Sequence, residues 1–227
     1  MGQEMYWYLQ DQKKTRFSRS ICILVVIQFL IGSAISQEPR INIKETTLGK
    51  YLQSSTTFQA DFYQELFDSH DQLILNSKGS VSIFRPNKFL WNYIQPAEQV
   101  LLADGKSVWF YDKELKQVTV MPQDNKYLST PAFFLSNFSI NEDIFQVSKI
   151  FTEEGIEWFQ IDLNSQYEDI KFFVIGFEGD SISNISFTNS LDQETQISFF
   201  NTKTNLSFSE DVFKFQLPEG VDLIGSL

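Results

Sequence analysis

The sequence predicts a mainly β fold with two helices, built on one large antiparallel sheet that curls. Three observations support this fold class. Apolar residues recur with a period of two over most of the chain after Thr56. Asp104-Gly105 separates two apolar runs, which is a strong signal for a two-residue hairpin. Two apolar segments with a helical pattern interrupt the strand pattern. Because twisted open sheets rarely exceed about ten strands, we expect this sheet to curl around those helices.

Composition narrows the classes of function. The chain has 227 residues and is 15% aromatic, with 18 Lys and Arg against 29 Asp and Glu, for a net charge of −11. This acidic balance argues against nucleic-acid binding, which needs a basic face. The single Cys and single His exclude an internal disulfide and nearly exclude a Cys/His zinc site. We therefore expect no metal and no cofactor.

Residues 1–36 have the organisation of a signal peptide. An apolar run from Ile21 to Ile31 follows a basic region, and Ala34 and Ser36 have the spacing of a cleavage site. The basic residues are Lys13, Lys14, Arg16 and Arg19. Cleavage leaves one domain, residues 37–227, without the lone Cys22. The alternative is an uncleaved membrane anchor, but this apolar run is shorter than the roughly 20 residues that a spanning helix needs.

The first predicted helix spans about Ile43 to Gln53. Asn42 and Glu45 resemble a helix-capping pair. Leu48, Tyr51 and Leu52 then form one apolar stripe at helical spacing.

Strands follow from Thr56 onward. Three early runs alternate between the two faces of a strand. The residues that share one face are Phe58, Ala60 and Phe62 in the first run, Val81 and Ile83 in the second, and Phe89, Trp91 and Tyr93 in the third. The predicted hairpin joins Val100–Ala103 to Ser107–Tyr111, with Ala103 and Lys106 flanking its turn.

A second short helix is predicted where Thr130 precedes Pro131, since Thr is a common N-cap and Pro suits the first helical position. It continues through Ala132, Phe133, Phe134 and Leu135. The later strand-like runs are Gln146–Phe151, Glu157–Leu163, Lys171–Phe177, Ile182–Thr188, Thr195–Phe200 and Val212–Phe215. Together these segments give ten or eleven strands.

Some strands are apolar on both faces, notably the run Phe172-Phe173-Val174-Ile175 and the segment from Phe89 to Ile94. Such strands are covered on both sides, by protein or by an apolar ligand. Composition alone favours a large aromatic core over a ligand cavity.

Several motifs in order resemble one known family, the outer-membrane lipoprotein carriers (LolA). They are Phe84-Arg85-Pro86-Asn87-Lys88-Phe89-Leu90-Trp91-Asn92-Tyr93 with Pro96, Asp104-Gly105, Trp109-Phe110-Tyr111-Asp112, Leu115-Lys116-Gln117-Val118-Thr119, Thr130-Pro131-Ala132 with Leu135-Ser136, and the ending from Phe213-Lys214-Phe215 to Pro218-Glu219-Gly220-Val221-Asp222-Leu223-Ile224-Gly225. The sequence departs from the family pattern at Leu90, where a polar or basic residue is frequent, and at Ala103, where Ser is common.

The resemblance implies an incomplete antiparallel β-barrel of about eleven strands with a helical lid over an apolar cavity. It implies a soluble, monomeric periplasmic chaperone without an enzymatic step. Its cargo would be triacylated lipoproteins, released from the inner membrane by an ABC-type complex and delivered to an outer-membrane lipoprotein receptor. The receptor of that pathway is itself a lipoprotein, and the position of Cys22 favours the soluble carrier.

The resemblance also implies roles for individual residues. The arginine that matches Arg85 bonds helix carbonyls beneath the lid and holds the empty cavity closed. A surface arginine at a strand end is the alternative. The cavity lining would include Leu48, Leu52, Phe62, Phe89, Trp91, Pro131, Phe134 and Leu135. Any one of these residues alone is equally compatible with an ordinary core.

Two other classes of function remain open at this point. One is a lipid- or lipoprotein-sensing regulatory module of the cell envelope, because a stress regulator uses a similar half-barrel. The other is an enzyme that acts on lipids, with His70 as its catalytic base. No Gly-x-Ser-x-Gly motif surrounds any serine, and His70 lies in a turn-like segment, so no catalytic residue is predicted.

Overall fold

The computed structural model describes residues 42–123, 130–137, 145–163 and 170–225. The predicted signal peptide, residues 1–36, lies outside these ranges. The α-helices are α1 (Thr47–Ser54) and α2 (Pro131–Asn137), with 3-10 helices at Ile43–Glu45 and Glu210–Phe213. The strands are β1 (Thr57–Phe67), β2 (Leu73–Phe84), β3 (Lys88–Gln95), β4 (Gln99–Asp104), β5 (Ser107–Asp112), β6 (Gln117–Pro122), β7 (Phe145–Glu153), β8 (Ile156–Leu163), β9 (Ile170–Glu178), β10 (Ser181–Asn189), β11 (Glu194–Thr204) and β12 (Asp222–Gly225).

All twelve strands belong to one sheet, in the order β12-β6-β5-β4-β3-β2-β1-β11-β10-β9-β8-β7. Neighbouring strands are antiparallel except β12, which runs parallel to β6. Strand β1 joins the two halves of the sheet by pairing with both β2 and β11. Within the described strands, β7 and β12 form the two edges and do not pair with each other. The predicted fold class, an open curved antiparallel sheet with helices, is confirmed, and β12 brings the number of strands to twelve.

The β4–β5 hairpin forms where Asp104-Gly105 predicts it, but its loop is shifted by one residue. Strand β4 continues through Asp104, so the loop residues are Gly105 and Lys106. One carboxylate oxygen of Asp104 accepts hydrogen bonds from the backbone N–H groups of Lys106 and Ser107, both at 2.8 Å. Gly105 has a φ of +96°, which an L side chain rarely adopts. The carboxylate therefore organises the turn from the last residue of the strand.

Helix α1 begins later than the sequence predicts. Residues Ile43–Glu45 form a 3-10 turn, and Thr46 is the N-cap of α1, accepting a hydrogen bond from Gly49 N at 3.1 Å. The Asn42 side chain does donate to Glu45 Oε1 at 2.8 Å, but it caps no backbone N–H. The predicted capping pair is therefore wrong as a helix start, because the Thr46 hydroxyl supplies the cap at the α-helical boundary.

The predicted strand Val212–Phe215 is also wrong. Its first half belongs to the 3-10 helix Glu210–Phe213. The period-two spacing of Phe213 and Phe215 arises from packing against other aromatic rings: Phe215 stacks on Trp109, with centroids 4.9 Å apart, and Phe213 lies 6.1 Å from Phe84. This segment covers strands instead of pairing with them.

The largest buried apolar cluster lies between the sheet and the two α-helices. It draws residues from α1, α2 and strands of both halves of the sheet, including Leu48, Phe62, Phe89, Leu135, Phe159 and Phe173. Among the residues that the structure describes, no helix has the length and apolar character needed to cross a membrane.

Candidate functional site

One face of the sheet, here called the inner face, is continuously apolar across its strands. Residues that pair directly across antiparallel strands point to the same face. Phe62 pairs with Phe199, and Phe89 pairs with Ala103. Phe159 pairs with Ile175 at the other side of the sheet. All of these side chains are buried, so the inner face presents aromatic and aliphatic surface from β4 to β8.

Both helices cover this face through aromatic contacts. In α2, the Phe133 ring meets Phe89 edge to face, with centroids 5.1 Å apart. The neighbouring Phe134 ring stacks on Phe173 at 4.0 Å. In α1, Tyr51 meets Phe177 edge to face at 5.4 Å. The helices therefore contact both halves of the sheet through aromatic rings.

The structure places seven of the eight residues predicted as cavity lining in the buried cluster or against it. Leu52 is partly buried and packs against the cluster. Pro131, the first residue of α2, is partly buried and lies outside the cluster. The buried members are Leu48, Phe62, Phe89, Trp91, Phe134 and Leu135.

The cavity lining predicted from the sequence omits several members of the buried cluster. These are Tyr51, Phe133, Phe159, Phe173, Ile175 and Phe177. A signal for part of this set is present in the sequence, since the run from Phe172 to Ile175 is apolar on both faces of β9. Which alternate residues of that run face the helices depends on strand register, which the sequence pattern alone does not fix.

Arg85, directly after β2, connects the sheet to both helices. Its Nε donates a hydrogen bond to the carbonyl oxygen of Leu135 in α2, at 3.1 Å. Its Nη1 donates to the carbonyl oxygen of Ser55, the C-cap of α1, at 3.2 Å. The guanidinium carbon lies 4.9 Å from the centre of the Tyr51 ring. One side chain thus contacts both helices at once.

These carbonyl groups need partners from outside their helices. The last four carbonyl groups of an α-helix have no intrahelical donor. Leu135 lies in the last turn of α2, and Asn87 N donates to the next carbonyl, that of Ser136, at 3.3 Å. The turn between β2 and β3 therefore supplies donors that the C-terminal end of α2 lacks. A guanidinium suits this task because it presents several donors in a fixed plane.

Burial shifts the pKa of both Arg85 and Tyr51, and the charge of Arg85 also acts on Tyr51. Burial lowers the pKa of Arg85, and the charge of Arg85 opposes the effect of burial on Tyr51. Burial still raises the pKa of Tyr51 to about 12. Within the described residues no carboxylate forms an ion pair with Arg85. The arginine is bound through backbone carbonyls and a ring face.

Two buried polar atoms in this region have no hydrogen-bond partner of good geometry among the residues described: Tyr51 Oη and Trp91 Nε1. Nearby, the Tyr93 hydroxyl donates to Gln64 Oε1 at 3.3 Å. Burial raises the pKa of Tyr93 to about 12. Unpaired buried donors are uncommon in folded proteins and call for an explanation.

His70 lies away from this surface, in the exposed turn between β1 and β2. Its Nδ1 is 3.3 Å from the Ser69 hydroxyl, and its backbone N–H donates to Asp68. Backbone hydrogen bonds from Gln72 and His70 lower the pKa of Asp68. In the described part of the chain, no group of three or more His, Cys, Asp or Glu residues is arranged to hold a metal ion.

These features define a class of protein: an incomplete barrel whose apolar inner face is closed by two short helices. The outer membrane lipoprotein carrier protein LolA family matches residues 53–216. The outer-membrane lipoprotein carrier protein of Methylococcus capsulatus is 34% identical over 200 residues, which cover 88% of this chain and 95% of that one. The protein of the same name from Nitrosomonas europaea is 36% identical over 179 residues, covering 78% and 87%.

The chain therefore belongs to the LolA family of outer membrane lipoprotein carrier proteins. The family resemblance stated from the sequence motifs is confirmed. A solved structure of a LolA superfamily protein from Nitrosomonas europaea aligns over 73% of this chain and 96% of that one, with a TM-score of 0.45 and 9% identity.

Proposed function

We propose that this protein is a carrier that binds the acyl chains of lipoproteins against its inner face and moves them between two membranes. The observation that carries the proposal is the arrangement of that face. It is apolar across both halves of the sheet, and the α-helices that cover it in the described part of the chain have only eight and seven residues. Helices this short are marginal on their own, so their position depends on their contacts with the sheet.

The physical chemistry of the cargo explains why such a surface is useful. Exposing one acyl methylene to water costs about 0.8 kcal/mol, so a chain of about sixteen carbons costs on the order of 12 kcal/mol. A triacylated lipoprotein cannot cross an aqueous compartment unaided at that cost. An apolar face that opens and closes shields the chains in transit and still permits their release.

Arg85 is proposed as the latch of this lid. In the closed state its guanidinium binds carbonyl groups of Leu135 and Ser55, one at the end of each helix. Acyl chains that enter beneath the helices would replace the ring contacts between helices and sheet. The hydrogen bonds of Arg85 then favour closure again once the cargo leaves. The eight lining residues predicted from the resemblance, Pro131 among them, are proposed to contact the acyl chains when the lid is open.

The partners follow from the energetics. Extracting acyl chains from a bilayer is uphill, and the sequence contains no P-loop with which to hydrolyse ATP. An ABC-type lipoprotein releasing complex in the inner membrane would supply that energy, and an outer-membrane lipoprotein receptor would accept the cargo. The carrier would act as a periplasmic monomer after cleavage of residues 1–36. The full chain has a net charge of −11, and removal of residues 1–36, which hold four basic and two acidic residues, makes it −13. This acidic charge disfavours adhesion to anionic lipid surfaces.

No enzymatic step is proposed. His70, the candidate base of the lipid-enzyme hypothesis, is exposed in the β1–β2 turn and takes no part in the buried cluster. Nothing in the arrangement of the inner face favours the regulatory alternative over a carrier.

Native mass spectrometry of the mature protein, purified from periplasm, tests the proposed function. We expect added masses that match triacylated lipoproteins, and their loss after extraction with detergent provides the control. Protein that stays bare after incubation with spheroplasts loaded with lipoproteins would contradict a carrier role.

A further inference from the structure

Trp91 carries a buried donor that forms no hydrogen bond of good geometry with any residue that the structure describes. Its side chain is 2% exposed. Its indole N–H has no hydrogen-bond partner among the described residues. An indole nitrogen is a donor only, so it can be satisfied only by an acceptor. Leaving a buried N–H unpaired is unfavourable, so the presence of this donor in an apolar surface needs an explanation.

The position of Trp91 places this donor within the proposed acyl-binding surface. On β3, Trp91 pairs with Val81 on one side and Leu101 on the other. Its ring centre lies 4.8 Å from that of Phe62 and 6.3 Å from that of Phe199. A ligand that spreads over these rings therefore passes beside the indole N–H.

A polar pair adjoins the donor. The ring of Tyr93 lies 6.4 Å from that of Trp91, and its hydroxyl donates to Gln64 Oε1 at 3.3 Å. The indole nitrogen is close enough to influence the Tyr93 hydroxyl but forms no hydrogen bond of good geometry with it. Trp91, Tyr93 and Gln64 thus form a small polar position within a mainly apolar surface.

Two comparisons set Trp91 apart. Trp109 lies on the opposite face of the sheet, and its Nε1 donates to Asp104 Oδ2 at 3.1 Å, so that indole is satisfied. Tyr51 Oη also lacks a partner among the described residues, but the Arg85 guanidinium lies over its ring, so Tyr51 already contributes to the contact between α1 and the sheet. The ring contacts of Trp91 in the described part of the chain are all with strand residues, so they join no helix to the sheet.

We propose that Trp91 Nε1 donates a hydrogen bond to a carbonyl oxygen of an ester-linked acyl chain when cargo occupies the inner face. A hydrocarbon chain offers no acceptor. A carboxylate would bring an unpaired charge into an apolar site at a large desolvation cost. A neutral carbonyl satisfies the donor without that cost. This inference rests on the proposed function and extends it, because the site then recognises the acyl linkage as well as the hydrocarbon.

The test compares two synthetic diacyl-cysteinyl lipopeptides that differ only in their glycerol linkages, esters in one and ethers in the other. An ether keeps the chain length but lacks the carbonyl. One neutral hydrogen bond corresponds to about a two- to tenfold difference in affinity. We expect the parent protein to bind the ester by that factor more tightly. W91F should bind both probes equally, and W109F, the matched tryptophan control on the other face, should keep the preference.

The outcomes separate the two proposals. If the parent protein binds both probes tightly and equally, the carbonyl contact is wrong and the carrier function stands. If it binds neither probe, the carrier function itself is wrong. A second readout does not depend on the folding of W91F: in the ¹H–¹⁵N spectrum of the parent protein, the Trp91 indole proton should move downfield with the ester probe and less with the ether probe. An identical shift with both probes would overturn the inference.

Discussion

Arg85 joins the lid to the sheet through backbone carbonyls, and this choice of acceptor has consequences for opening. Because the guanidinium donor is charged, these hydrogen bonds are stronger than those between two neutral groups. Because the acceptors are neutral, opening does not separate a buried ion pair. The aromatic contact with Tyr51 adds a cation–π interaction, with the guanidinium carbon 4.9 Å from the ring centre. The proposed latch would favour the closed state and still allow it to open.

Replacing Arg85 with Leu tests this role. The substitution leaves the carbonyl groups of Leu135 and Ser55 without their donor, and each such loss costs about 1–3 kcal/mol. We expect hydrogen exchange of the α1 and α2 amides to accelerate about ten- to a hundredfold, with little change in the strands. Arg85→Lys should restore only part of the protection, since an ammonium group cannot span both carbonyls with the same geometry.

The matched control is Lys113→Leu. Lys113 forms an exposed ion pair with Glu98 at 2.7 Å, and exposed pairs contribute little. Its exchange pattern should resemble that of the parent protein. If Arg85→Leu also leaves the exchange of both helices unchanged, the latch is wrong.

For individual residues, the sequence predicts part of the candidate site. The motif around Arg85 identifies the residue through the family resemblance, but its acceptors depend on where two distant helices end. The apolar stripe of Leu48, Tyr51 and Leu52 correctly marks one helix face. The stripe does not indicate that the Tyr51 ring lies under a guanidinium. Nor does the strand pattern around Trp91 indicate that its indole has no acceptor among the described residues, because both features depend on tertiary packing.

Helices α1 and α2 are the elements whose stability depends most on tertiary contacts. Eight and seven residues are too few to form stable helices in isolation. Each has one side-chain cap at its start, from Thr46 and Thr130, and each packs aromatic rings against the sheet. Close packing of α1 against the preceding 3-10 turn also requires a residue without a side chain, because a Cβ at Gly49 would overlap the carbonyl of Ile43.

Gly49→Ala should therefore loosen α1. Alanine normally favours a helix by about 1 kcal/mol over glycine, so a loss of stability here would report the overlap with Ile43 and not helix propensity. We expect faster hydrogen exchange in α1 and a lower thermal midpoint. Lys50→Ala, at the exposed neighbouring position, is the control and should have little effect. An unchanged or stabilised Gly49→Ala variant would show that the backbone of α1 adjusts freely.

The elements differ in how well local sequence predicts them. The β4–β5 hairpin forms where it is predicted, with its loop shifted by one residue, and the Thr130-Pro131 helix start is correct. Both signals are local: a carboxylate that binds the next N–H groups, and a cap followed by proline. Val212–Phe215 is wrong as a strand, since the same period of two arises from rings that pack onto other strands. Strand β12 has only four paired residues and no alternation that would mark it.

The two faces of the sheet are covered by different parts of the chain. The inner face carries the aromatic cluster beneath α1 and α2. Part of the outer face is covered by the C-terminal segment, where Phe215 stacks on Trp109. Both faces thus contain covered aromatic residues. Within the described ranges, the cover of the inner face consists of short helices joined to the sheet by Arg85, by the N–H of Asn87 and by ring contacts. This is why cargo binding is proposed for that face.

Site-specific photocrosslinking tests this assignment most directly. The photoreactive residue p-benzoylphenylalanine would replace Trp91 in one variant and Trp109 in another. Both positions hold a tryptophan packed against other rings, so the replaced side chain is matched while the face differs. Trp91 is buried and Trp109 is half-buried, so exposure alone would favour adducts from position 109. Irradiation in the presence of a triacylated lipoprotein should yield a covalent carrier–lipoprotein adduct from position 91 and little from position 109. Equal adducts from both positions, or an adduct from position 109 alone, would contradict acyl-chain binding beneath the helices.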